Sequence, residues 1–264
     1  MTSPPPKEFL EELYRRHHRL ENLAPDPLLF ARGFADIRDG EVAGLVAAAF
    51  AYGRVEAIMA ALGRIFELFR ERPRAFLERA SPSDLLERSR GFYYRFQKDR
   101  DLAVFLLLLA RAVERFGSLV ELFRRGDQGG GIGPALAAFA DGILSGDPRP
   151  LLRTRSLPAD HPVRHLLSSP AKGGAAKRLC LFLRWMCRKD CLDPGYWQGA
   201  VDPARLAVPL DTHVARVGRE LALTRRSAAD WRTACEITAA LRAYDPADPV
   251  RYDFSLFRYG MRGR

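Results

Sequence analysis

Cysteine is scarce in this chain: four in 264 residues, Cys180, Cys187, Cys191 and Cys235, all in the C-terminal half at irregular gaps. With no secretory signal ahead of them, they are expected as reduced thiols of a cytoplasmic protein, not as a disulfide framework. Cys187 and Cys191 lack a second pair close in sequence, and no His/Cys/Asp/Glu group has metal-ligand spacing, so neither a metal nor any other cofactor is expected. Long apolar runs are missing as well. The longest, around 102–110, is too short for a bilayer, and the N-terminal segment has no basic stretch leading into an apolar one, so no membrane association is expected. Strict period-two alternation is absent, which argues against sheet proteins, and no internal repeat is visible.

What is present is an ordinary globular balance, 47% hydrophobic and 28% charged residues, in a chain long enough for one large domain or two small ones. The charge is uneven. Lys and Arg total 42 against 32 Asp and Glu, a formal +10 with a pI near 9.8. Such an excess suits a polyanionic partner, and a DNA-binding protein of this kind would be nucleoid-associated.

Apolar residues recur at helical spacing throughout. Phe9, Leu10 and Leu13 predict a helix over 7–20 that Pro25 and Pro27 end. Val42, Leu45, Val46, Ala49 and Phe50 predict another, starting at Asp39 or Gly40 with Asp39 as N-cap. After a break at Gly53, the same period runs from Val55 to Phe69; further helices are expected over 83–89, 102–116, 119–123 and 134–144. The expected fold is all-α, a single two-lobed domain over 1–264 with loop-rich breaks near 127–133 and 145–170.

The most informative window is 168–217, inside a segment of about 166–221. It opens with SSPAKGGAAKRLCLFLRWMCRKD, in which Gly173-Gly174 permit a tight turn and Leu179, Phe182, Leu183 and Met186 form one apolar face of a helix. On the opposite side Lys177, Arg184 and Arg188 fall within about 20° of one line. Backbone N–H groups at a glycine turn and a helix start are natural phosphate ligands. Downstream, PLDTHVARVGREL places Asp211 to cap a helix with Val214, Val217 and Leu221 on its buried side. Capping alone also accounts for Asp211, and a solvated basic face for the cations; His213 reads as structural or as a secondary site residue.

A glycine turn, a Lys on the following helix and a downstream LDTHVARV resemble the helix-hairpin-helix DNA glycosylase superfamily, which includes endonuclease III and the 8-oxoguanine glycosylases. More closely, AYGRV at 51–55, YRFQ at 94–97, LFLRWMCRKD, LDTHVARV and DPVRYDFSLFRYG at 248–260 resemble the bacterial family called domain of unknown function 2400. That likeness runs over nearly the whole chain and implies a distant member of the glycosylase superfamily.

The resemblance implies base-excision repair chemistry, with Lys177 as nucleophile and Asp211 as its carboxylate partner. The implied grip on the DNA backbone uses Lys172, Gly173, Gly174, Arg178, Arg184 and Arg188. Tyr94, Phe96, Trp185 and Trp197, with Phe92 and Tyr93, are candidates to stack on an extruded base, although such aromatics also suit a helical core. A non-catalytic nucleic-acid-binding protein on the same scaffold is the alternative. Three departures stand out. The superfamily hairpin L-P-G-V-G-R-K separates its glycines, whereas here they are adjacent. The longer Lys177–Asp211 interval must loop out an insertion containing Asp193-Pro194-Gly195-Tyr196-Trp197. The cysteines do not reproduce the pattern that holds an iron–sulfur cluster, so none is expected.

Overall fold

The computed structural model describes residues 3–70 and 72–261, and the fold is all-α. The chain divides into two compact units: one from the chain ends, up to Ala24 and from Ser169 onward, and one from Pro25–Ser168. Among the described residues no helix is long and apolar enough to cross a membrane.

Helix α1 (Lys7–His17) belongs to the unit of the chain ends and buries Leu10 and Leu13. The middle unit contains α2 (Ile37–Ala49), α3 (Val55–Phe69), α4 (Pro73–Arg79), α5 (Pro82–Arg88), α6 (Asp99–Phe116), α7 (Leu119–Gly126), α8 (Ile132–Leu144) and the single turn α9 (Val163–Leu166). Its core is built on α2, buried on all sides from Asp39 onward, and on α6, buried from Leu102 to Leu109. An Ala-rich helix such as α2 suits the centre, because small side chains let neighbours approach from every direction.

Helix α2 starts at Ile37, earlier than expected, because the Asp36 carboxylate accepts the Arg38 N–H and supplies the cap. Asp39 instead accepts the Arg74 N–H at 2.8 Å in the first turn of α4. Likewise the fully buried Glu41 accepts the N–H groups of Leu119 (2.7 Å) and Val120 (3.1 Å) at the start of α7. Two acids of α2 thus satisfy orphan donors of two other helices, a pairing that lies far apart in sequence. A small hairpin also departs from expectation: β1 (Tyr93–Tyr94) pairs antiparallel with β2 (Gln97–Lys98). Strands of two residues are too short for alternation to register.

In the other unit, α10 (Lys177–Cys187) is a largely buried helix, with Leu179, Cys180 and Phe182–Cys187 buried. The same unit contains α11 (Thr212–Glu220), α12 (Trp231–Arg242) and α13 (Asp253–Met261). Helices α11 and α13 approach closely at Gly260, where a Cβ would stand 3.0 Å from Val217 Cγ2 and 3.3 Å from His213 Cβ.

Candidate functional site

The site forms at the N-terminus of α10. Ser169 Oγ accepts the Ala171 N–H and starts a 3-10 turn over Pro170–Lys172, and Gly173 follows with φ +80°, a conformation that favours glycine. The Gly173 carbonyl accepts the Trp231 N–H at 3.1 Å, and Gly174 bridges to Asp230, so the glycine turn is tied to the start of α12. Ala176 is left-handed (φ +49°) and has no side chain that could cap the helix, so α10 starts at Lys177 without an N-cap hydrogen bond from the preceding residue. Lys172, Gly173 and Gly174 are exposed; Arg178 is half-buried.

Lys177 and Asp211 meet. Lys177 Nζ lies 3.4 Å from Asp211 Oδ2, with the lysine side chain 34% exposed and the aspartate 14%. The other carboxylate oxygen, Oδ1, accepts the Val214 N–H at 2.9 Å and caps α11. One carboxylate therefore starts a helix and faces an amine at the rim of the unit. His213 packs edge-on against Phe257 with ring centroids 5.7 Å apart, and so contributes to the α11–α13 contact.

Arg184 and Arg188 do not continue a solvent-facing cationic line. Arg184 is 3% exposed; its Nη2 donates to Asp193 Oδ1 at 3.1 Å and its Nη1 to Asp253 Oδ2 at 2.5 Å. Arg188 is 5% exposed and contacts Asp190 (2.7 Å), Asp248 (2.8 Å) and Asp193. Their donors are used inside the protein, which withdraws both from the expected phosphate grip. Asp190 and Asp193 follow α10, while Asp248 and Asp253 lie 60 and 69 residues beyond the arginines they meet, so helix-face geometry alone does not bring them in.

The insertion does not loop out. It folds back on the C-terminal half of α10: the Gly195 N–H donates to the Trp185 carbonyl, the Trp197 N–H to that of Met186, and Asp193 is fully buried. Trp197 packs edge-on against Phe182 with centroids 5.0 Å apart, and it and Trp185 are core residues with no surface to offer a base. Tyr94, in the middle unit, is buried too, its hydroxyl donating to the Tyr52 carbonyl, and Phe92 is buried. Phe96 and Tyr93 are the exposed aromatics of that hairpin, 59% and 67% accessible.

Asp253 opens α13, the place of an ordinary helix cap, but it is a buried acid. Its Oδ2 takes Arg184, while its Oδ1 is buried without a hydrogen bond. Burial pushes its carboxyl up to about 6, against the opposing pull of Arg184 and with smaller repulsions from Asp211 and Asp193. Nothing in the local sequence distinguishes it from a cap.

The chain belongs to the family described as Protein of unknown function (DUF2400), which matches residues 26–262. No curated protein and no solved structure matches the chain.

Proposed function

We propose that this protein is a DNA base-excision enzyme, a glycosylase or abasic-site lyase, in which Lys177 is the nucleophile and Asp211 its carboxylate partner. The observation that carries the reading is the 3.4 Å approach of Lys177 Nζ to Asp211 Oδ2 beside an uncapped helix start and an exposed glycine turn. Net charge of +10 supports a polyanionic substrate.

A target nucleotide rotated out of the duplex would present C1′ to the lysine. As the glycosidic bond breaks, positive charge develops on the sugar, and the Asp211 carboxylate opposes it. The Lys177 ammonium gives up a proton that the departing base takes, and its amine forms the new bond to C1′ as the electron pair of the broken bond leaves with the base. The attached nitrogen then loses a proton to Asp211. Its lone pair opens the sugar ring, O4′ is protonated, and a Schiff base results. The exposed Gly174 backbone, with Lys172, would hold a neighbouring phosphate, since the Gly173 N–H is already donated to the Pro170 carbonyl at 2.9 Å. The alternative reading is a non-catalytic nucleic-acid binder, favoured by the structural work Asp211 already performs in capping α11.

Borohydride trapping on duplexes carrying 8-oxoguanine, uracil, thymine glycol or an abasic site tests the proposal. A covalent adduct is expected with the wild type and should vanish in Lys177→Ala. Asp211→Asn keeps an N-capping side chain but removes the charge, so it should slow adduct formation without unfolding α11. Absence of any adduct, with salt-sensitive binding retained by both variants, would leave the binder.

A further inference from the structure

At the other end of α10, His18, Asp190 and Cys191 come together from distant parts of the chain. Their nitrogen, oxygen and sulfur donors all lie within 4.8 Å of one another. His18 Nε2 is 3.0 Å from Asp190 Oδ2, and Cys191 Sγ is 3.5 Å from the His18 carbonyl. The His18 side chain is 2% exposed, and neither of its nitrogens makes a hydrogen bond of acceptable geometry, nor does Asp190 Oδ2. Tyr14 stacks on the ring at 4.4 Å and Phe254 meets it edge-on, which fixes its plane. Asp190 is fixed as well: its Oδ1 accepts the N–H groups of Leu192 (2.7 Å) and Asp193 (2.9 Å), leaving Oδ2 toward the histidine. Asp190 and Tyr14 also line a recess of about 650 Å³, and Cys191 is exposed, so the donors are reachable from solvent.

The surrounding charge has a definite sign. Asp190, Asp193, Asp248 and Asp253 share the two guanidinium groups of Arg184 and Arg188. Arg188 touches the same Asp190 oxygen at 2.7 Å, but its charge is divided among three carboxylates. With all four acids ionised the cluster is short of two positive charges. Unbalanced buried charge is costly, and a divalent cation beside Asp190 would reduce it.

We propose that His18, Asp190 and Cys191 bind a divalent cation of the zinc class. An imidazole, a carboxylate and a thiolate form a mixed donor set that suits zinc and excludes magnesium and calcium, which take oxygen ligands. Three protein ligands leave the fourth tetrahedral position for water. Tetrahedral closure requires Cys191 to swing inward, which its exposed position allows. Sequence spacing gives no hint of the site, because the histidine lies 173 residues from the cysteine.

Cobalt(II) is the probe. Reduced, chelator-treated full-length protein should bind one cobalt per chain and develop a sulfur-to-cobalt charge-transfer band that zinc bleaches. Cys191→Ser should abolish the band while leaving the far-ultraviolet circular dichroism unchanged, and Cys235→Ser, altering the other exposed thiol, should keep it. His18→Gln should weaken binding. No band in the wild type, or a band that survives Cys191→Ser, would overturn the proposal and leave a simple His18–Asp190 ion pair.

Discussion

Asp253 offers the sharpest check on the electrostatics of the α10 core. Its carboxyl is raised to about 6 by burial, against an ordinary value of 3.8. Between those values the folded chain holds a proton that the unfolded chain has released, so folding takes up a proton and stability grows as pH falls through 6. Linkage gives a gain of about 1 kcal/mol between pH 7 and pH 5 from this residue alone. Asp253→Asn cannot gain or lose that proton and should lack the increment. Both proteins carry the same histidines and remaining acids, so the difference between them isolates Asp253. The three tryptophans, Trp185, Trp197 and Trp231, all lie in the unit that contains Asp253, so urea unfolding followed by their fluorescence reads the relevant unit. The wild-type midpoint should rise relative to that of the variant by roughly 0.5 M urea from pH 7 to pH 5. Equal pH dependence in the two proteins would refute a buried, proton-binding Asp253.

Two further substitutions test how the core is held. Arg188→Met leaves Asp190, Asp193 and Asp248 without their shared cation and should destabilise the unit by about 3–5 kcal/mol, seen as a lower urea midpoint. A variant of unchanged stability would mean that the guanidinium is not holding those acids. Gly195 has φ +67°, and an added Cβ would lie 2.5 Å from Lys189 Cβ and 2.9 Å from the Arg188 carbonyl. Gly195→Ala should cost about 1–3 kcal/mol, with Trp197 becoming accessible to acrylamide quenching; unaltered quenching would show that the fold-back tolerates a side chain.

The all-α class was readable from periodicity, because helices such as α3 and α6 carry long amphipathic or apolar stretches that need no knowledge of their neighbours. The turn at Gly173-Gly174, Lys177 at the start of α10 and Asp211 at the start of α11 were readable for the same reason, since turn and cap chemistry is local. That Lys177 and Asp211 stand 3.4 Å apart was decided by the packing of the helices that carry them.

Local rules failed where a polar side chain serves a distant element. Asp39 and Glu41 cap helices other than their own, and Asp253 holds an arginine. A helical wheel places Arg184 and Arg188 on a cationic line, but it cannot say whether water or carboxylate faces that line. Asp193, Asp248 and Asp253, from outside the helix, turn both arginines inward. Sequence by itself determined the helices, their caps and the residue types available for chemistry, because those depend on interactions within a few residues. Tertiary structure alone decided which charges are buried and which donors meet, because burial and pairing depend on segments that the chain brings together only on folding.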